Sequence, residues 1–172
     1  TRGTAAYHSM LSKAPFNAWR FADAPLVQRL RGAVFGVIGM GRIGMATALR
    51  ARAFGMRILF YDPHLPSGVE LSLGFERVLD LESLVSQADV MSIHAPLDQS
   101  TERLINRNLL GVGKRGQILV NTARGPIVDL DAVYECLQSG QLGGAGLDVL
   151  PEEPANPSHA LIKAYHERAE WL

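Results

Sequence analysis

The chain has 172 residues, with 17 basic and 17 acidic side chains and a formal net charge of zero. That length suits one domain with its own core plus short flanking segments. A hydrophobic content of 47% with 20% charged residues excludes a disordered chain, a coiled coil and a collagen-like repeat, and the lack of a basic excess argues against direct nucleic-acid binding.

In chain order, residues 1–30 hold one helical stretch, Ala5 to Lys13, and an irregular segment containing Phe16, Trp19, Phe21 and Pro25. The run 33–38 (AVFGVI) predicts a buried strand, and Arg42 to Phe54 a helix with Ile43, Ala46, Leu49 and Ala53 on one face. Residues 56–61 (MRILFY) predict a second strand. Leu81 to Gln87 predicts a short helix capped by Asp80. Strands follow at 89–93 (DVMSI) and 117–120 (QILV). A helix over 130–139 ends at Gly140, the usual stop, and a last strand is expected at 145–149 (AGLDV). Residues 151–172 begin Pro-Glu-Glu-Pro and finish in an amphipathic run, Ala160 to Trp171. Apolar strands alternating with helices imply an α/β fold, a Rossmann-type doubly wound parallel sheet with helices on both faces. The boundaries expected are a central domain at 31–150, with 1–30 and 151–172 leading towards a second domain.

The 17 glycines exceed the roughly 12 that average usage would supply, and they cluster at 32–44 and 111–146. Gly39-Met40-Gly41-Arg42-Ile43-Gly44 is a G-x-G-x-x-G that follows a strand and opens a helix. The first glycine makes the turn, the second lets the backbone approach a pyrophosphate, and the third lets helix and strand pack closely. Free N–H groups and the helix dipole then hold the anion. Asp62 ends the next strand, 18 residues after Gly44, where an acid accepts from an adenosine ribose diol. A plain glycine turn with an ordinary Asp before Pro63 is the bland alternative. An acid there repels the 2′-phosphate of NADP, and Pro63, His64 and Leu65 include no cation, so NAD is expected. Residues 111–116 (GVGKRG) look faintly like an ATP-binding loop but lack its spacing. Arg115 stands where Ser or Thr would hold magnesium, so they are read as a turn.

In such a sheet, ligands bind outside the carboxyl ends of the strands. The segments there are His94 to Thr101, Asn121 to Gly125 and Asp148 to Pro154. Arg124 is placed to fork onto a carboxylate, or is simply a solvated cation. Glu153 is either a partner for a catalytic base or one of two loop acids. Asp148, inside an apolar strand, needs donors from a cofactor amide or from a backbone N–H. Cys136 lies on a helix without an activating neighbour and reads as a packed thiol.

The runs VIGMGRIG, FYDP, HAPLDQST, VNTARGPIVD and GAGLDVLPEEP, in this order from 37 to 154, resemble the D-isomer-specific 2-hydroxyacid dehydrogenases. The stretch 55–106 is most similar to the branch that includes the C-terminal-binding-protein corepressors. The resemblance implies NAD-dependent hydride transfer between a small 2-hydroxy acid and its 2-oxo acid. It implies that Arg124 grips the substrate, that Glu153 holds a catalytic His and raises its pKa, and that Asp148 contacts the nicotinamide amide. Gly39, Gly41, Arg42, Ile43 and Gly44, then Asp62, His94, Ala95, Pro96, Thr101, Thr122, Ala123 and Arg124 would line the cofactor. It also implies a homodimer formed through the nucleotide domain.

The family's acid–base His follows a Pro in a strand beyond the PEEP loop. His8 lies in the N-terminal helix, His64 beside the ribose loop, and His159 and His166 in the final helical stretch. His94 ends a strand without taking that role. This chain is therefore expected to bind NAD without turning over substrate by itself. An NAD-sensing corepressor-like protein is the alternative of another class. A methyltransferase using S-adenosylmethionine is disfavoured by GMGRIG with NTARG. Cys136 alone excludes a disulfide framework and a Cys-cluster metal site. No apolar run approaches the roughly 20 residues of a membrane span, and Thr1 to Thr4 do not open a signal peptide. The expected location is the cytoplasm.

Overall fold

The computed structural model describes residues 29–167 and, before them, Ser12 alone. The rest of the expected N-terminal helix with His8, the aromatic residues Phe16, Trp19 and Phe21, and residues 168–172 lie outside the described residues.

Six strands make one sheet: β1 (Val34–Ile38), β2 (Arg57–Tyr61), β3 (Glu76–Arg77), β4 (Val90–Ile93), β5 (Gln117–Asn121) and β6 (Leu142–Leu147). Their order is β3-β2-β1-β4-β5-β6, and every pairing is parallel. The helices are α1 (Arg42–Ala53), α2 (Val69–Leu73), α3 (Leu81–Gln87), α4 (Arg107–Gly111), α5 (Leu130–Gln138) and α6 (Ala160–His166). The strand order reverses between β1 and β4, and the crevice at that switch point is where a doubly wound sheet binds its ligand.

The strands are apolar throughout because both faces are covered. Along β1 and β2, Phe35, Val37, Ile58 and Phe60 join Ala48 and Ala51 of α1 in one layer. Val34, Ile38 and Leu59 join residues of α3, α4 and α5, among them Leu84, Leu110 and Val133, in the other. A period of two across two buried faces erases the polar alternation of a one-sided sheet.

The α1 face is the reverse of the expected one. Gly44, Ala48 and Ala51 are its buried residues, while Ile43 is 66% exposed and Leu49 42%. Only small side chains fit where this helix rises directly from the turn, so spacing i, i+4, i+7 of small residues outweighs hydrophobicity. Two short elements, β3 and α2, had no sequence expectation. The strand β6 begins and ends earlier than expected, with Gly143, Gly144 and Gly146 inside it. A Cβ at Gly143 would lie 2.5 Å from the Gly116 carbonyl oxygen, and the β5–β6 register shifts beside it.

Caps follow the expected chemistry. Asp80 accepts from Ser83 N–H at α3, and Gly140 has φ +71 after α5. Helix α6 packs on the body through buried Leu161 and Ala164. Residues 111–116 form the turn between α4 and β5, with Lys114 Nζ bonded to Asp89 Oδ1 at 2.7 Å. Cys136 is buried in α5, and burial raises its thiol pKa. No described helix is long and apolar enough to cross a membrane.

Two latches close the amino-terminal edge of the sheet. Gln117, 1% exposed, donates Nε2 to the Val85 and Ala88 carbonyls at 2.8 and 2.7 Å, capping the end of α3 from β5. Gln117→Leu should cost about 1–3 kcal/mol by orphaning those acceptors, measured as a lower urea midpoint with unchanged slope. Asp89 also receives Val34 N–H at 2.7 Å. Burial raises its carboxyl pKa, but the Lys114 and Val34 hydrogen bonds and the charges of Lys114 and Arg57 outweigh this, leaving it lowered. A depressed pKa stabilises the fold above the unfolded value and loses that contribution as pH falls through the folded one. Asp89→Asn should cost under about 1 kcal/mol at neutral pH, since the pair is partly exposed. Comparative melting along a pH series should show the deficit shrinking toward acid.

Candidate functional site

The glycine loop lies at the carboxyl end of β1. Gly39 has φ +90, and a Cβ there would lie 2.6 Å from Ala95 N; at Gly44 it would lie 2.1 Å from Gly39 O. Both positions require glycine, because loop, helix and the segment after β4 meet backbone to backbone. Gly41 differs: a Cβ there would have no neighbour within 4 Å. This residue caps α1 without a side-chain bond, and no acid occupies the first turn. Open space before an uncapped helix start, with exposed Arg42 and Ile43 on its first turn, is a cradle for a pyrophosphate.

Asp62 follows β2. Its Oδ2 accepts Met40 N–H at 2.9 Å and its Oδ1 accepts His64 N–H at 3.0 Å. Asp62 is thereby tied to the middle of the glycine loop. Sequence neighbours suggested no cation nearby, yet the sheet returns Arg77 from β3, with Nη2 donating to the Asp62 carbonyl at 2.8 Å.

After β4, His94 is half-buried and Nε2 pairs with Ser92 Oγ at 2.8 Å. Burial lowers its pKa, so the ring is neutral at neutral pH. The next loop closes on itself: Thr101 Oγ1 donates to the Pro96 carbonyl at 2.7 Å, and Asp98 accepts from Ser100 N–H at 2.8 Å. Ala95 is buried and Pro96 exposed. Thr101 holds the loop through its side chain, which leaves loop shape, rather than a free hydroxyl, as what it offers a cofactor.

Two residues missing from the expected set organise the surroundings of Arg124 and Glu153. Asn121, fully buried, donates Nδ2 to Arg124 O at 2.9 Å and accepts Ala123 N–H at 3.0 Å. Those bonds shape the exposed Thr122–Arg124 turn, and the Asx-turn habit of Asn was the available signal. At Gly125 a Cβ would lie 2.0 Å from Leu150 C, so only glycine lets this turn touch the segment after β6. That contact unites Arg124 and Glu153 in one cavity of about 430 Å³ with Ala123, Gly125, Pro126, Val149, Leu150 and Pro151. Arg124 Nη1 donates to its neighbouring Ala123 carbonyl at 2.6 Å, and Glu153 Oε1 accepts Leu150 N–H at 3.2 Å. Each retains polar atoms for a ligand.

Asp148 is not inside a strand or buried. Because β6 ends at Leu147, it lies exposed beyond the carboxyl end of that edge strand, its N–H bonded to Asn121 O at 3.0 Å. Among the described residues, no His lines the Arg124–Glu153 cavity. His159 Nδ1 caps α6 through Leu161 N–H at 3.1 Å, and Nε2 faces Asp131 Oδ1 at 3.2 Å. No described cluster of three or more His, Cys, Asp or Glu is arranged to hold a metal ion.

A family model described as D-isomer specific 2-hydroxyacid dehydrogenase, NAD binding domain, matches residues 1–168. A glyoxylate reductase of Korarchaeum cryptofilum (strain OPF8) is 44% identical over 148 residues, covering 84% of this chain and 44% of that protein. The solved formate dehydrogenase of Granulicella superposes with a TM-score of 0.81 at 34% identity, over 92% of this chain and 42% of that one. The apo D-mandelate dehydrogenase of Rhodotorula graminis gives 0.77 at 32%, over 91% and 47%. The chain therefore spans less than half the length of these relatives. The family model covers nearly the whole chain, and the fold agrees with it: this chain belongs to the D-isomer-specific 2-hydroxyacid dehydrogenase family, as its NAD-binding domain.

Proposed function

We propose that this domain serves an oxidoreductase moving a hydride between NAD(H) and a small D-2-hydroxy acid/2-oxo acid pair. The observation that carries this is the shared cavity of Arg124 and Glu153 at the carboxyl edge of the sheet, the edge that also carries the glycine loop. Gly39, Gly41, Arg42, Ile43 and Gly44 would receive the pyrophosphate, and Asp62 the adenosine ribose. His94, Ala95, Pro96, Thr101, Thr122 and Ala123 would wall the remainder of the cofactor. Bound NAD supplies the hydride acceptor. Arg124 would fork onto the substrate carboxylate, two N–H donors to two oxygens. Glu153 would hold a His brought by another part of the protein and raise its pKa, since an adjacent carboxylate favours the imidazolium. Asp148, exposed at the mouth, would accept from the nicotinamide amide.

The similarity to reductases and dehydrogenases favours this reading over an NAD-sensing corepressor. Residues 1–30 and 151–172 are read as leading to a substrate domain on either side of the 31–150 core. The exposed apolar side chains Leu49 and Phe54 on and after α1 support a homodimer through the nucleotide domain. The net charge of zero supports the absence of direct nucleic-acid binding, and a single buried cysteine fits a cytoplasmic location.

Three measurements check the reading. Titration should show NADH binding at least tenfold tighter than NADPH, about 1.4 kcal/mol, because Asp62 faces the 2′ position; equal affinities would count against it. In the complete enzyme, Arg124→Ala should lower turnover on 2-oxo acids about 100-fold, as charge-assisted bonds contribute about 1.5–3 kcal/mol each. NADH affinity should change far less, and an equal fall in both would remove Arg124 from the substrate. The 172-residue chain alone should show no 2-oxo acid reduction in a NADH absorbance assay, as no described His reaches the Arg124–Glu153 cavity.

A further inference from the structure

Arg77 sits on the two-residue edge strand β3 and is not among the residues the glycine motif points to. Its side chain is only 11% exposed, and its guanidinium is the centre of the turn that carries Asp62. Nη2 donates to the carbonyls of Asp62 and Leu65, both at 2.8 Å. Nη1 donates to the Pro66 carbonyl at 3.1 Å. The turn over 62–66 contains Pro63 and Pro66, which have no N–H, and its carbonyls face inward. Three of them converge on one planar donor group, a geometry that an ammonium on a flexible stem does not reproduce. The carboxylate of Glu70 lies 3.8 Å from Nη1 and is itself held by Gly68 N–H at 3.0 Å.

The same Asp62 is thus gripped at both ends. Its carbonyl rests on Arg77, while its carboxylate takes N–H bonds from Met40 of the glycine loop and His64 of its own turn. A cation beside a ribose site ordinarily favours the 2′-phosphate of NADP. Here both Nη atoms point at backbone carbonyls beside the Glu70 carboxylate, while Nε is buried without a partner among the described residues and out of reach of a ligand, so the group is occupied in building the turn.

We propose that Arg77 is the positioning residue of the adenosine-ribose subsite. It clamps the 62–66 turn so that Asp62 faces the ribose diol, and its commitment to the turn carbonyls, beside Glu70, withdraws it from binding a 2′-phosphate. The proposal rests on the NAD-selective reading above.

The test is a double-mutant cycle on nucleotide binding. NADH and NADPH are titrated into the unsubstituted protein, Arg77→Met, Asp62→Ala and the double variant, with circular dichroism and melting confirming the fold of each. Arg77→Met should raise the NADH Kd about tenfold, the scale of one charge-assisted bond, and narrow the preference for NADH over NADPH. The double variant should bind NADH within about a factor of two of Asp62→Ala alone, because one residue acts through the other. Arg77→Lys should keep the charge but not the affinity. Should Arg77→Met fail to fold, the same cycle with Arg77→Lys decides between the same outcomes. An unchanged NADH Kd in a folded variant, additive losses in the double variant, or a larger loss for NADPH than for NADH would overturn the role. Absence of NADH binding by the unsubstituted protein would instead sink the cofactor reading, and the role of Arg77 with it.

Discussion

Close backbone approach at the head of α1 is the constraint on which the nucleotide end of this domain depends. Gly44 stands where a Cβ would lie 2.1 Å from the Gly39 carbonyl oxygen, and Gly39 lies against the backbone of His94 and Ala95. With no side chain between them, helix, turn and the segment after β4 converge on a single point. The helix must then lie close to the sheet along its length, which is why Ala48 and Ala51, rather than Ile43 and Leu49, face inward. Its uncapped amino end is left over an open space at Gly41.

The same device operates a second time beside Arg124 and Glu153. Gly125 meets the Leu150–Pro151 backbone at a distance that no other residue permits, and Asn121 ties the intervening turn from beneath. Packing at these two glycines sets where polar groups stand. The glycine loop leaves the uncapped start of α1 over open space, and the Gly125 contact places Arg124 beside Glu153. In both cases the chemistry lies on loops and the precision comes from buried backbone contacts.

On the β2–β3 side of the glycine loop, away from Gly125, runs a polar connection. Arg77 holds the carbonyl side of the turn after β2, Asp62 spans to the glycine loop, and the loop opens α1. Charged groups at exposed sites usually contribute little. This guanidinium is mostly enclosed, with both Nη atoms on carbonyl acceptors and a buried Nε that has no partner among the described residues, which makes it part of the backbone architecture rather than a surface charge.

The amino-acid sequence by itself determined the fold class, the strands β1, β2, β4 and β5, and the caps at Asp80 and Gly140. It also marked the glycine loop and Asp62, because these rest on local signals: turn residues and glycines at fixed offsets from a strand; the roles of Arg124 and Glu153 came from the family resemblance. The tertiary structure alone decided which face of α1 is buried, where β6 ends, and hence that Asp148 is exposed. It alone brought Arg77 to Asp62 across 15 positions and Gly125 to Leu150, contacts between distant segments that carry no periodic signature. Local geometry is written in neighbouring residues, whereas the meeting of backbones is a property of the packed sheet.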